Sequence, residues 1–224
     1  MKTQTVAHMI DHTYLKAFAT QDILQKLCDE AKAMHTASVA VSSAWTPFCH
    51  EQLKGTGVHV TSVVAFPLGQ GGLDAKKYEV MDAIAKGADE VDYVLDIGRV
   101  KMQDHAYIEN EMRTLTTIVH NAGKKIKVIL ETCYLEPSEI QWVCKIAVDV
   151  RPDFVKTSTG FGTGGATVGA VRLMKDTVGD AVEVKASGGI RDWKTCKAMI
   201  DAGATRIGTS SGTKILEELE KENA

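Results

Sequence analysis

Short runs of apolar and β-branched residues alternate along the whole chain with longer stretches that carry apolar residues at helical spacing. This alternation is typical of βα units, in which helices cover a parallel sheet. Eight runs are predicted as strands: Met9–His12, Ser38–Ser42, Val58–Ala65, Glu90–Asp96, Lys125–Glu131, Phe154–Thr157, Val182–Ala186 and Arg206–Thr209. Eight such units in 224 residues predict an α/β fold, a single (β/α)8 TIM barrel spanning residues 1–224.

The main alternative to a barrel is a doubly wound open sheet. It is disfavoured because no GxGxxG motif opens an early βα unit with an acidic residue about 20 positions later. The helical stretches have recognisable ends. Thr20 is expected to cap a helix that runs to Met34, and Gly87 is expected just past a helix over Leu73–Lys86.

Composition narrows the choice of partners. The formal net charge is −3, and basic residues alternate with acidic ones, so no nucleic-acid partner is expected. Five cysteines without a CxxC pair indicate a reduced, cytoplasmic setting. No apolar stretch approaches the roughly 20 residues that span a bilayer, so no membrane partner is expected. A homodimer is the general expectation for a symmetric assembly.

Two lysines occupy equivalent positions on neighbouring predicted strands: Lys156 in FVKTSTG and Lys185 in VEVKASGG. Taken alone, Lys156 is more typical of a snorkelling side chain or a phosphate ligand. Two inward lysines on adjacent strands would repel each other as ammonium ions, which favours the neutral, nucleophilic form of one of them. The pair therefore favours chemistry over a structural role.

Carboxylates are predicted beside these lysines. Asp92 shares one face of the fourth strand with Val94 and Asp96 by period-two alternation. It could be a counter-ion or could shuttle protons to a substrate carbon, and the sequence does not separate these roles. Asp11 in the first strand is a further inward candidate, whereas the facing of Lys127 in the fifth strand cannot be decided.

Small-residue turns follow the last three predicted strands: STGFGTGG, SGG (Ser187–Gly189) and GTSSG (Gly208–Gly212). Such turns ahead of helices expose backbone N–H groups that bind anions, and barrels often bind phosphate after strands seven and eight. The expected ligand is a small phosphorylated aldehyde or sugar. The seven histidines show no metal-ligand spacing, so no catalytic metal is expected.

Over nearly its full length the sequence resembles the deoxyribose-phosphate aldolase family. The motifs that carry the resemblance are IDHTYLK, FPLG, ADEVDYV, KVILETCYL, DFVKTSTGFGTGGAT, VKASGGIR and AGATRIGTSSG. The resemblance implies a class I aldolase that needs neither cofactor nor metal. Such an enzyme reversibly cleaves 2-deoxy-D-ribose 5-phosphate into D-glyceraldehyde 3-phosphate and acetaldehyde, a step in deoxyribonucleotide catabolism.

The resemblance also implies residue roles. Lys156 would form the Schiff base, Lys185 would perturb it and help to transfer protons, and Asp92 would be the proton donor and acceptor. The residues expected to bind substrate or phosphate are Asp11, Thr157, Gly160, Gly188, Gly189, Gly208, Ser210 and Ser211.

Several positions depart from the family pattern. They are Ala17, Ala40, Ser42, Ser43, Gly71, Gly72, Asp96 and Arg99. They cluster at the ends of strands two to four, away from the predicted phosphate loops, and are expected to place Asp96 and Arg99 at the barrel mouth. We therefore expect the carbonyl chemistry to persist with a shifted substrate preference.

Two other functions are compatible with the same residues. A non-catalytic sugar-phosphate-binding barrel would bind ligand without forming an imine. A transaldolase-type enzyme would form the imine on the same lysine but release no acetaldehyde.

Overall fold

Eight parallel strands close into a barrel in chain order in the computed structural model, which describes residues 1–224. Each strand pairs with the next, and β8 pairs with β1. The strands are β1 (Ile10–Thr13), β2 (Ser38–Ser42), β3 (His59–Val64), β4 (Glu90–Val94), β5 (Lys125–Ile129), β6 (Phe154–Lys156), β7 (Glu183–Ser187) and β8 (Arg206–Thr209). The predicted (β/α)8 barrel is confirmed, and the doubly wound sheet is wrong.

Four strands end earlier than predicted, and the two that lose two residues, β4 and β5, do so for local reasons. β4 stops at Val94 because the side chain of Asp96 caps the following helix, accepting a hydrogen bond from the backbone N–H of Arg99 at 3.1 Å. β5 stops at Ile129, and Glu131 takes a left-handed backbone conformation with φ of 54°. The chain therefore turns away from the sheet before either polar residue can extend its strand.

Ten helices accompany the strands. They are α1 (Thr3–Ala7), α2 (Gln21–Met34), α3 (Thr46–Leu53), α4 (Leu73–Ala85), α5 (Ile97–Lys101), α6 (His105–Asn121), α7 (Pro137–Val150), α8 (Val168–Val178), α9 (Trp193–Asp201) and α10 (Gly212–Asn223). Thr20 holds the N-cap position of α2 as predicted, although its side chain makes no capping hydrogen bond. None of the helices has the length and apolar character needed to cross a membrane.

Alternation along each strand divides its side chains between two environments. Outward-facing residues such as Val91, Tyr93, Val128 and Val184 are fully buried against the helices in a continuous apolar layer. Burial of this layer supplies the main driving force for folding, at about 25 cal/mol per Å² of apolar surface. The inward-facing positions are therefore free to carry polar groups, and in this barrel they carry charges.

Candidate active site

Seven charged side chains meet inside the barrel, each less than 10% exposed. Three are carboxylates and four are cations: Asp11, Glu90 and Asp92, with Lys127, Lys156, Lys185 and Arg206. The strand register brings them together, since Lys156 lies opposite Lys185 and Asp92 lies opposite Lys127. Charges this deeply buried are costly unless they are paired, so the pattern of contacts decides their protonation.

Asp92 lies at the centre of this cluster. One of its oxygens accepts from Lys127 Nζ at 2.7 Å, and the other accepts from both Lys156 Nζ at 2.8 Å and Lys185 Nζ at 2.7 Å. Burial alone would raise the pKa of Asp92, but the three neighbouring lysines hold that pKa well below its usual range. Asp92 is therefore an ionised acceptor that links its own strand, β4, to β5, β6 and β7.

Lys127 and Arg206 each have more than one carboxylate partner. Lys127 Nζ lies 2.5 Å from Glu90 as well as contacting Asp92, and Arg206 lies 2.7 Å from Asp11 and 3.0 Å from Glu90. Burial lowers the pKa of Lys127, but the surrounding carboxylates outweigh that effect and raise it above its ordinary value. These cations therefore keep their protons.

Lys156 has fewer carboxylate contacts than the other three cations. Its amine contacts a single carboxylate oxygen, which it shares with Lys185, while Lys185 also contacts Asp11. Burial lowers the pKa of Lys156 to about 8; Asp92 opposes the shift and the Lys185 ammonium assists it. Four cations facing three carboxylates thus yield one amine whose neutral fraction near neutral pH is far larger than that of an ordinary lysine.

A cavity of ≈ 260 Å³ lies above this amine at the carboxyl ends of the strands. Lys156 and Lys185 line its floor, and its wall includes five of the residues predicted to bind phosphate: Gly160, Gly188, Gly189, Gly208 and Ser210. The turns after β6 and β7 touch backbone to backbone, since a Cβ on Gly165 would lie 2.2 Å from the Gly188 carbonyl oxygen. Glycine is required at Gly165 for this approach.

Three other predicted binding residues do not line the cavity. Asp11 lies beneath it, holding Lys185 and Arg206 from β1. The hydroxyl of Thr157 donates to the Ser187 carbonyl and accepts from the Ser187 amide, both at 3.1 Å, so it joins β6 to β7. Ser211 is the residue that precedes α10.

The departures from the family pattern are spread over several places, and four of them line one cavity. Asp96 caps α5, and Arg99 forms an ion pair with Asp104 at 2.9 Å; neither lines the cavity at the mouth. Ala17, Ser42, Ser43 and Gly71 line a second, open cavity of ≈ 690 Å³ that shares Leu15 and Phe161 with the first. Ala40 is buried in β2, and Gly72 caps α4.

Sequence reasoning missed a buried carboxylate beside the cavity. Glu131 accepts hydrogen bonds from the backbone N–H of Thr159, at 3.2 Å, and from the Thr159 hydroxyl. That hydroxyl in turn accepts from the Phe161 amide at 3.0 Å. Glu131 therefore fixes the turn after β6 that forms one cavity wall. The available signal was a glutamate directly after an apolar strand.

Comparisons with known proteins agree on one family. The family model described as DeoC/LacD family aldolase matches residues 5–218. The deoxyribose-phosphate aldolase of Lactobacillus acidophilus is 49% identical over 213 residues, covering 95% of this chain and 90% of the relative. That of Bacteroides thetaiotaomicron is 47% identical, covering 97% and 91%.

Two solved structures share the fold of this protein over nearly the whole chain. The tetrameric deoxyribose phosphate aldolase from Aeropyrum pernix superposes with a TM-score of 0.92 at 29% identity, covering 99% of this chain and 93% of the other. The aldolase QR15 superposes with a TM-score of 0.91 at 34% identity, covering 97% of both chains.

Proposed function

The chain belongs to the DeoC/LacD family of aldolases, and on that basis we propose that it reversibly cleaves 2-deoxy-D-ribose 5-phosphate through a Schiff base on Lys156. The products are D-glyceraldehyde 3-phosphate and acetaldehyde. One observation carries the proposal: a buried amine with a pKa lowered to about 8 lies on the floor of a cavity whose wall is formed by small-residue turns.

The reaction follows from this amine. Neutral Lys156 adds to the C1 carbonyl of the open-chain sugar, and protonation of the resulting carbinolamine hydroxyl with loss of water gives an iminium ion. The iminium draws electrons from the C2–C3 bond, so that loss of the C3 hydroxyl proton and cleavage of that bond leave an enamine on the lysine and release D-glyceraldehyde 3-phosphate. Protonation of the enamine at C2 and hydrolysis then release acetaldehyde and restore the amine.

Proton transfer is assigned to Asp92 and Lys185. Asp92 contacts both lysines, and its low pKa makes it an acceptor in the resting site. The proton delivered to the enamine is therefore proposed to come from the Lys185 ammonium or through Asp92 and a water molecule. Lys185 also helps to keep Lys156 neutral.

Imine trapping tests the proposal. Borohydride reduction in the presence of acetaldehyde should leave an ethyl group on Lys156, located by peptide mass analysis. A non-catalytic binding barrel would show no adduct. A transaldolase-type enzyme would trap a carbonyl substrate on the lysine but release no acetaldehyde from 2-deoxy-D-ribose 5-phosphate.

The pH dependence of kcat/KM should report the amine of Lys156. Below pH 8 this amine is increasingly protonated and cannot attack, so the acid limb should have an apparent pKa near 8. In Lys185→Leu the neighbouring cation is lost and the pKa of Lys156 should rise, moving the acid limb to higher pH. Profiles between pH 5.5 and 9.5 check this; superimposable acid limbs for the two proteins would contradict it.

Phosphate binding by the turn after β8 should be sensitive to charge. Ser210 is exposed and lines the cavity, so a carboxylate in Ser210→Glu should repel the substrate phosphate and raise KM by about tenfold or more. Ser210→Gln is the matched control, with the same bulk and no charge. Equal KM values for the two variants would show that this turn does not hold the phosphate.

The proposal extends to preference, location and assembly. The departures that line the second cavity are proposed to shift preference among aldehydes, which relative rates on phosphorylated and unphosphorylated substrates would test. All five thiols are free, which supports a cytoplasmic enzyme of deoxyribonucleotide catabolism. A homodimer is proposed as its assembly, to be checked by light scattering.

A further inference from the structure

Lys16 is a cation at the cavity mouth that the mechanism above does not use. It follows β1, its side chain is exposed, and it lines the same cavity as Gly188, Gly189 and Ser210. Barrel closure explains this placement, because β1 pairs with β8 and the loops after these two strands are therefore neighbours. Residues from opposite ends of the chain thus share one rim.

The cations at this rim have no carboxylate partner, whereas most of those inside the barrel are paired with carboxylates. Lys127, Lys185 and Arg206 are each held by at least two carboxylates, so little of their charge is free to attract an anion. Lys16 forms no ion pair with a carboxylate, and the same is true of Arg191 on the β7 side. Two unpaired cations therefore flank the turn after β8.

The Lys16 amine lies over an aromatic ring. Its Nζ lies 5.8 Å from the ring centroid of Phe161, which lines the same cavity. The ring is itself held edge-on against Phe66 at 5.4 Å, and the Phe161 backbone is bound to Thr159. A cation–π contact at an exposed site is weak, so it orients the ammonium over the cavity and leaves it free to move onto a stronger anion.

We propose that Lys16 captures the substrate phosphate from the β1 side of the cavity and so determines the preference for phosphorylated over unphosphorylated aldehydes. An ammonium is a compact point charge with three donors, which suits a phosphate already bound by backbone N–H groups. If Lys16 were only a solvated surface lysine whose stem packs against its neighbours, its replacement would leave this preference unchanged. The inference rests on the proposed function, because it names what selects that substrate.

The test compares Lys16→Met with Lys16→Arg and with Lys54→Met. Methionine keeps the apolar stem, arginine keeps the charge, and Lys54 is an exposed lysine without an ion pair just after α3. For Lys16→Met we expect KM for 2-deoxy-D-ribose 5-phosphate to rise about tenfold while kcat changes less than about twofold. The ratio of kcat/KM for this substrate to kcat/KM for 2-deoxy-D-ribose should fall about tenfold.

Lys16→Arg should keep most of that ratio, Lys54→Met should keep all of it, and added salt should narrow the difference between Lys16→Met and the unaltered protein. An unchanged ratio in Lys16→Met, or an equal loss in Lys16→Arg, would overturn the inference. Binding of inorganic phosphate, measured by calorimetry, separates the two proposals. Weakened phosphate binding by Lys16→Met in a protein that cleaves no sugar would refute the proposed function and support the role of Lys16.

Discussion

Replacement of Lys156 by alanine should lower kcat for cleavage of 2-deoxy-D-ribose 5-phosphate by roughly 10³-fold or more, because the nucleophile is lost. The same change should abolish the borohydride-trapped adduct. It should not unfold the protein, since removal of the surplus cation leaves three cations facing three carboxylates. The melting temperature, followed by circular dichroism, should therefore stay the same or rise.

The matched control for this experiment is Lys125→Ala. Lys125 is also a strand lysine, but it is exposed at the start of β5. It should keep full activity and the adduct on Lys156. Residual turnover of Lys156→Ala within tenfold of the unaltered protein, or an adduct found on another lysine, would mean that Lys156 is not the nucleophile.

Asp92→Asn should cause the largest loss of stability in the barrel interior. The substitution keeps the shape of the side chain and removes the one negative charge that contacts three lysines. Breaking a buried ion pair leaves uncompensated charge, which typically costs about 3–5 kcal/mol. Urea unfolding at pH 7 should show this decrease in the free energy of unfolding, and cleavage activity should be lost as well.

A double variant shows whether the stability lost in Asp92→Asn comes from unbalanced buried charge or from damaged packing. Adding Lys185→Met to Asp92→Asn removes one of the uncompensated cations, so it should restore part of the lost stability. The two changes are in contact and should not be additive. A decrease below about 1 kcal/mol for Asp92→Asn, or strictly additive effects, would show that the cluster does not depend on this carboxylate.

The barrel and its two central lysines were predictable because alternation and βα spacing are local properties of the sequence. Phe154, Lys156 and Ser158 share a face whatever the rest of the chain does, and the next unit repeats the lysine. The facing of Lys127 was not predictable, because Lys125 and Lys127 lie on one face without any sign of which face is inward. The pairing of Lys127 with Asp92 in the closed sheet supplies that answer.

Other features of the site depend on contacts between distant parts of the chain. Glu131 leaves its strand in a left-handed conformation and binds Thr159 across a turn. Asp96 and Arg99 were expected at the mouth because they stand at the end of the fourth predicted strand, whereas helix capping directs Asp96 to the backbone of α5 and Arg99 pairs with Asp104. The position of Lys16 beside Ser210 requires β1 to meet β8, which periodicity alone cannot express.

The excess of one cation inside the barrel has a consequence for attempts to improve this protein. Any change that removes the Lys156 amine relieves repulsion in a buried site, so the most easily gained stability would come from variants that no longer react. A selection for heat resistance alone should therefore enrich inert proteins. Stabilising substitutions are better sought in the outer apolar layer and the helix caps, where they leave the reactive amine untouched.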